Sequence, residues 1–139
     1  MRTIKFRGKD IETGEWVYGY FVGTTDSVAI IIPFEKVNYD VGYIGDSECC
    51  YCFPETIGQF TGLYDKNGKE IYEGDIIIEK LKRSRKDGER LVICFDGFEW
   101  QGKNEYGSTT SLSLLSEYHT FEVIGNIHDN PELLKGGKV

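Results

Sequence analysis

Two dipeptides constrain this chain more than anything else in it: Asn67-Gly68 and Asp96-Gly97, each set between short runs of β-branched and aromatic residues. Asn, Asp and Gly tolerate the positive φ that tight hairpin turns of the primed types require, so each pair predicts two antiparallel strands joined by two residues. The flanking sequence agrees. Ile57-Gly58-Gln59-Phe60 leads into the first turn and Glu70-Ile71-Tyr72 leaves it, while Leu91 to Phe95 and Phe98 to Gln101 flank the second. In the second hairpin, Phe98 and Trp100 are expected to share a face.

The same grammar runs through the rest of the chain. Near the start, Ile4 and Phe6 alternate with Lys5, Arg7 and Lys9; after the polar stretch Glu12 to Glu15, Trp16, Tyr18 and Tyr20 alternate with Val17 and Phe21. Period two on both sides of a polar turn predicts a first hairpin. Val28 to Pro33 is a continuous apolar run, as in a strand buried on both faces, and Pro33 stops it. Residues Glu35 to Ser47 have no clean period and read as a long connection. Glu73-Gly74-Asp75 feeds the β-branched run Ile76 to Ile78, Gly102 to Ser111 is a polar loop, and Leu112 to Leu115 fits no type. Thr120 to Ile127 reads as a closing strand, with Phe121, Val123 and Ile127 set against Glu122, Asn126 and His128. Asn130 as an N-cap, Pro131 at the first helical position and Gly136 as a stop predict one or two helical turns at the end.

No segment is long enough for the helix of a βαβ crossover. The expected fold is mainly β: an N-terminal antiparallel region over residues 1–56, then a small SH3-like antiparallel β-barrel over residues 57–139 with a short C-terminal helical turn. The two parts are expected to fold as one cooperative unit, because 139 residues leave each half short of a core of its own.

Composition fixes the class and removes several functions. Hydrophobic residues at 40% and charged residues at 28% are globular values. Charges open the chain, and the longest apolar run, Val28 to Ile32, is far too short for a signal h-region or a membrane span, so a cytosolic protein without membrane association is expected. Three of the four cysteines, Cys49, Cys50 and Cys52, lie within four positions, poor geometry for pairing with one another, and reduced thiols are expected. Net charge is −7, which opposes general binding to a phosphate backbone. Yet Lys80, Lys82, Arg83, Arg85 and Lys86 concentrate +5 in seven residues and leave −12 on the remainder.

Each candidate site has a plainer structural explanation. Cys50 and Cys52 with His119 or His128 have the right atoms for zinc but lack the paired spacing of a metal knuckle, so no metal and no cofactor are expected. Glu73 and Asp75 share a face and have the chemistry to hold Mg²⁺ for nuclease or phosphatase work. A Gly74-Asp75 turn whose carboxylate accepts backbone N–H groups is the preferred reading. The basic segment Lys80, Lys82, Arg83, Arg85 and Lys86 suits a solvated hairpin loop, a contact with an acidic partner surface, or a nucleic-acid contact. Trp16, Tyr18 and Tyr20 on one strand face suit core or interface packing before base stacking. No catalytic triad, phosphate-binding glycine loop or dinucleotide fingerprint is present, so no catalytic residue is assigned.

The long segment Pro54-Glu55-Thr56-Ile57-Gly58-Gln59-Phe60-Thr61-Gly62-Leu63-Tyr64-Asp65-Lys66-Asn67-Gly68-Lys69-Glu70-Ile71-Tyr72-Glu73-Gly74-Asp75-Ile76 resembles the signature of the YopX family of phage and prophage proteins. Ile4 to Arg7 with Gly14 to Tyr20, and Val123 to Ile127 with Asn130 to Leu133, are similar to that family's two ends. The resemblance implies a gene of temperate phages or prophages of mainly Gram-positive bacteria, a protein of the host cytoplasm, and a homo-oligomer; it brings no established activity. Cys49, Cys50 and Cys52 depart from the family pattern. The expected function is a non-enzymatic, homo-oligomeric binding module for a phage or host protein. A metal-dependent nuclease or phosphatase using Glu73 and Asp75, and a single-stranded nucleic-acid binder, are the alternatives.

Overall fold

Short β-branched and aromatic runs separated by glycine turns leave the backbone little but extended structure, and among the described residues the computed structural model has eleven strands and a few 3₁₀ turns. It describes residues 2–37, 40, 49–81, 87–113 and 119–134. The strands are β1 (Phe6–Lys9), β2 (Trp16–Thr24), β3 (Ala29–Pro33), β4 (Cys50–Cys52), β5 (Gly58–Tyr64), β6 (Glu70–Tyr72), β7 (Asp75–Leu81), β8 (Asp87–Asp96), β9 (Glu99–Lys103), β10 (Thr109–Ser111) and β11 (His119–Asn126). Two compact units divide at Phe60 and Thr61.

In the first unit the antiparallel order is β4-β3-β2-β1-β5. Alternation sends Phe6, Val17, Phe21, Ile31, Cys50 and Cys52 to one face, where Ile31, Cys52 and Ala29 are fully buried. The outer side of β4 is covered by the end of β1. Asp10 bridges Cys52, the Ile11 N–H donates to the Tyr51 carbonyl at 2.9 Å, and the Phe53 N–H donates to the Lys9 carbonyl at 2.9 Å. A strand edge that would otherwise invite pairing with another chain is thereby closed. The cysteine segment Cys50–Cys52 is thus a paired strand; most of the long connection expected over Glu35 to Ser47 lies outside the described residues.

In the second unit the order is β10-β9-β8-β7-β11, all antiparallel, with β6 the neighbour of β5. Its core joins Ile71, Ile77, Leu91, Ile93, Leu112 and Phe121. The sheet is open among the described residues, with β10 and β11 at its two ends, so a closed barrel is not what the hydrogen bonding shows there. Strand β10 arises from the stretch Gly102 to Ser111, expected as a polar loop. It forms because Asn104 turns the chain, its carboxamide oxygen accepting the Tyr106 and Ser108 N–H groups, and β10 then pairs with β9.

Both diagnostic turns form, each with a shift. Asn67 keeps a negative φ and only Gly68 is left-handed, at φ 82°. The Gly68 N–H donates to the Asp65 carbonyl at 3.0 Å and the Asp65 N–H to the Lys69 carbonyl at 2.8 Å, a three-residue loop of turn plus bulge rather than a two-residue primed turn. In the other hairpin Asp96 still pairs with Glu99, so the two central residues are Gly97, at φ 66°, and Phe98. Phe98 therefore sits at the tip, fully exposed, and does not share a strand face with Trp100.

The chain closes on the expected turn, a 3₁₀ segment at Pro131–Leu133, although Asn130 does not cap it with its side chain. Its carboxamide oxygen accepts the Asn126 N–H instead, at 3.2 Å, and the Arg90 guanidinium donates to the Leu133 carbonyl at 2.8 Å. Gly136 lies outside the described residues.

Candidate functional site

The first unit's sheet is chemically two-sided. Opposite its apolar core face, hairpin register sets Arg7 across from Tyr18 and Lys9 across from Trp16. Directly opposed residues of an antiparallel pair share a face, and alternation adds Tyr20 to it. The Arg7 guanidinium lies 4.5 Å and the Lys9 ammonium 5.6 Å from the Trp16 ring centroid. The Lys5 ammonium lies 4.8 Å over the ring of Phe60, whose N–H donates to the Lys5 carbonyl. All three cations are within the reach of about 6 Å at which a ring face attracts positive charge.

Tyr18 and Tyr20 remain 42% and 38% exposed, while Arg7 is 5% exposed. Phe34 meets Tyr20 edge-on with centroids 4.9 Å apart, fixing one side of that ring. Sequence reading singled out Trp16, Tyr18 and Tyr20 and missed the cations beside them. Lys5, Arg7 and Lys9 were visible as an alternating set, but their partnership with the aromatics depends on the register of the hairpin.

The basic and acidic candidates fall in the second unit or outside the described residues. Lys80 lies on β7, its ammonium 3.5 Å from a Glu122 carboxylate oxygen that Lys66 also approaches at 3.3 Å. Lys82, Arg83, Arg85 and Lys86 lie outside the described residues. Asp75 is 2% exposed, and its carboxylate accepts the Tyr72 N–H at 2.8 Å. This is the turn role anticipated for it; Glu73 stands at the turn itself, half-buried.

The residue the sequence reading passed over is Asp65. One carboxylate oxygen accepts the Asn67 and Lys69 N–H groups at 2.8 and 2.9 Å, and the other accepts the Val123 N–H at 3.1 Å. Burial would raise its pKa, but the backbone donors Val123, Lys69 and Asn67 and the Lys69 charge outweigh it and hold the carboxyl below its usual value.

Cys50 and Cys52 do share a face, as alternation requires, but it is the apolar one. Burial, followed by the neighbouring Cys50 and Asp10, pushes the Cys52 thiol up to about 11. Burial, then Asp10 and Glu35, also raises Cys50. Among the described residues no group of three or more His, Cys, Asp and Glu side chains is placed to hold a metal ion. No helix among them is long and apolar enough to cross a membrane.

The family model described as "YopX protein" matches residues 5–135. Among solved structures, the crystal structure of protein EF1440 from Enterococcus faecalis is similar, with a TM-score of 0.59 and 25% sequence identity over 97% of this chain and 100% of that one. No curated protein matches.

Proposed function

The chain belongs to the YopX family, and from that membership we propose that it is a non-enzymatic, homo-oligomeric binding module of phage or prophage origin, working in the host cytoplasm. The carrying observation is the apolar end of the β8–β9 hairpin. Phe98 is 100% exposed, Phe95 is 52% exposed, and Phe95 packs edge-on against Trp100 with centroids 5.0 Å apart. A phenylalanine held in water forgoes about 1.5–3 kcal/mol of burial, and a second copy of the chain supplies cover for it.

Two further observations support a binding role over catalysis. The Asp75 carboxylate is engaged with the backbone of its own turn, and Tyr18 and Tyr20 stand exposed on one sheet face. The SH3-like reading of the second unit belongs to the same proposal. It is supported by the Lys66 N–H to Phe121 carbonyl bond and the Gly74 N–H to Ile93 carbonyl bond, which bring the ends of the β5–β6 hairpin to β11 and β8.

Sedimentation velocity at micromolar concentration tests the assembly. An oligomer that Phe98→Asp converts to monomer, with the melting temperature of the dissociated chain unchanged, supports the reading. A wild-type monomer at physiological salt removes the oligomer from it.

A further inference from the structure

We propose that the outer edge of β10 pairs with the β10 edge of a second copy of this chain, antiparallel and across a two-fold axis at Thr110, joining two five-stranded sheets into one. The inference rests on the homo-oligomer reading and says how the second copy reaches Phe98.

The turn before β10 decides which of its groups face outward. The Asn104 N–H donates to the Ser108 carbonyl at 2.9 Å, and bonded and non-bonded pairs alternate along the hairpin from there. Thr110 therefore turns its N–H and carbonyl toward Gly102 of β9, while Thr109 and Ser111 turn theirs away from it. Among the described residues no strand lies on that outer side, and Thr109 and Thr110 are exposed. The chain covers two other strand edges with its own backbone. Asp10 and Ile11 close the outer side of β4, and Asp65 and Lys66 hold that of β11. Thr109-Thr110-Ser111 carries none of the charges or prolines that keep an open edge from pairing.

A second copy fits this edge better than an unrelated strand. Across the axis Thr110 faces the partner's Thr110 and Thr109 faces the partner's Ser111, so no like charges are opposed although each chain carries −7. The Thr109 carbonyl accepts the N–H of the partner's Ser111, and the axis repeats that bond. The same register carries to the aromatics. Gln101 of β9 lies opposite Ser111 and thus stands level with the partner's Thr109. Three positions back along both segments, which run parallel, Phe98 comes level with the partner's Tyr106. Phe98 is 100% and Tyr106 82% exposed in the single chain. They lie two strand spacings apart, about 9.6 Å, a gap that a pair of facing rings fills. Each copy thus covers the Phe98 of the other, whereas an unrelated strand makes the backbone bonds without bringing a ring to it. A contact this small belongs with weak, concentration-dependent assemblies.

Disulfide trapping in the full-length protein tests the register. Directly opposed residues of a non-bonded antiparallel pair have Cα atoms about 4.5 Å apart, within disulfide reach. Thr110→Cys, oxidised at micromolar concentration, is expected to give a covalent dimer, and peptide mapping identifies its 110–110 link apart from the native thiols. Thr109→Cys is expected to give about tenfold less, because its two copies fall out of step by two positions, beyond the limit of about 7 Å. Thr110→Lys and Thr110→Asp should each weaken the dimer by about tenfold or more in sedimentation, and an equal mixture of the two should restore it. Thermal melts accompany every variant, and the charge pair carries the test if the cysteine variant fails to fold.

The outcomes separate the two readings. A wild-type monomer removes both. An oligomer that Phe98→Asp dissociates but Thr110→Cys does not link, that links equally through residue 109, or that Thr110→Lys leaves intact, overturns the β10 pairing and leaves the Phe98 surface to another occupant.

Discussion

The Asp65 carboxylate accepts the backbone N–H of Val123 at 3.1 Å, joining residues 58 positions apart. Its other oxygen holds the Asn67 and Lys69 N–H groups, and the adjacent Lys66 N–H donates to the Phe121 carbonyl at 2.8 Å. One turn of the family segment thus serves as the outer partner of β11, a strand paired with β7 on its other side. The segment that identifies the family is here an edge guard and a turn, and its strongest polar group has a structural task.

Removing that group should be expensive. Asp65→Ala leaves three backbone donors without their acceptor and is expected to lower stability by roughly 2–4 kcal/mol, whereas Asp65→Asn, which keeps one oxygen, should cost about half as much. Urea midpoints of the three proteins read the difference. Equal midpoints for wild type and Asp65→Ala would show that the turn does not need its carboxylate.

The same carboxylate sets a pH dependence. Its folded-state pKa is depressed from 3.8, so the unfolded chain takes up the proton first as pH falls. The stabilisation is present above the unfolded value and is lost as pH falls from there through the folded one. Wild type should lose stability more steeply than Asp65→Asn below about pH 4, and the two curves should run parallel from pH 5 to 7. Melting temperatures across that range measure the gap.

These particulars show what a sequence does and does not reveal. Hairpins at Asn67-Gly68 and at Gly97 were legible because glycine and asparagine limit the local backbone. The turn types were not, because Asn-Gly fits both a primed turn and a turn-plus-bulge, and the choice went to the one in which Asp65 satisfies two N–H groups. Asp96-Gly97 shifted by one residue because a single left-handed glycine in first position suffices, which moved Phe98 from a strand to an exposed tip. Asp65 to Val123, Lys66 to Phe121 and Cys52 to Asp10 are pairings between distant segments, invisible to any local pattern. The alternating cations of β1 were plain in the sequence; what they face depended on register.

Steric demand at Gly19 separates two otherwise similar glycines of β2. A Cβ at Gly19 would fall 2.0 Å from the Ile32 carbonyl oxygen, while one at Gly23 has nothing within 4 Å. Gly19→Ala is expected to destabilise by about 3 kcal/mol or to prevent folding of the first unit, and Gly23→Ala to stay within about 1 kcal/mol of wild type. Denaturant melts followed by Trp16 and Trp100 fluorescence report both.

Thiol reactivity should rank with burial. Cys52 is fully buried with a thiol pushed up to about 11, so at neutral pH its thiolate fraction is about 10⁻⁴ and its labelling by a thiol reagent should wait for unfolding. Cys49 is partly exposed and is expected to label first. Mass spectrometry of a timed iodoacetamide reaction resolves the order. Rapid native labelling of Cys52 would contradict the closed β4 edge, because that strand is packed between β3 and the Asp10 bridge.

Asp75 offers the sharpest choice between scaffold and metal chemistry. Its carboxylate lies 2.8 Å from the Tyr72 N–H and is 2% exposed, in a turn that leads directly into the core strand of Ile76 and Ile77. If its task is to hold the turn, Asp75→Asn keeps an oxygen for Tyr72 and melts only modestly lower, while Asp75→Ala leaves that donor buried and costs about 1–3 kcal/mol. Divalent ions should then leave the melting temperature of wild type where it was. A metal site would behave in the opposite way: Mn²⁺ at 100 times its dissociation constant would add about 2.7 kcal/mol to the folded state, and Asp75→Asn would abolish that gain. Melts of wild type and Asp75→Asn with and without Mn²⁺ decide between them, because the turn role predicts a difference between the proteins and the metal role predicts a difference between the buffers.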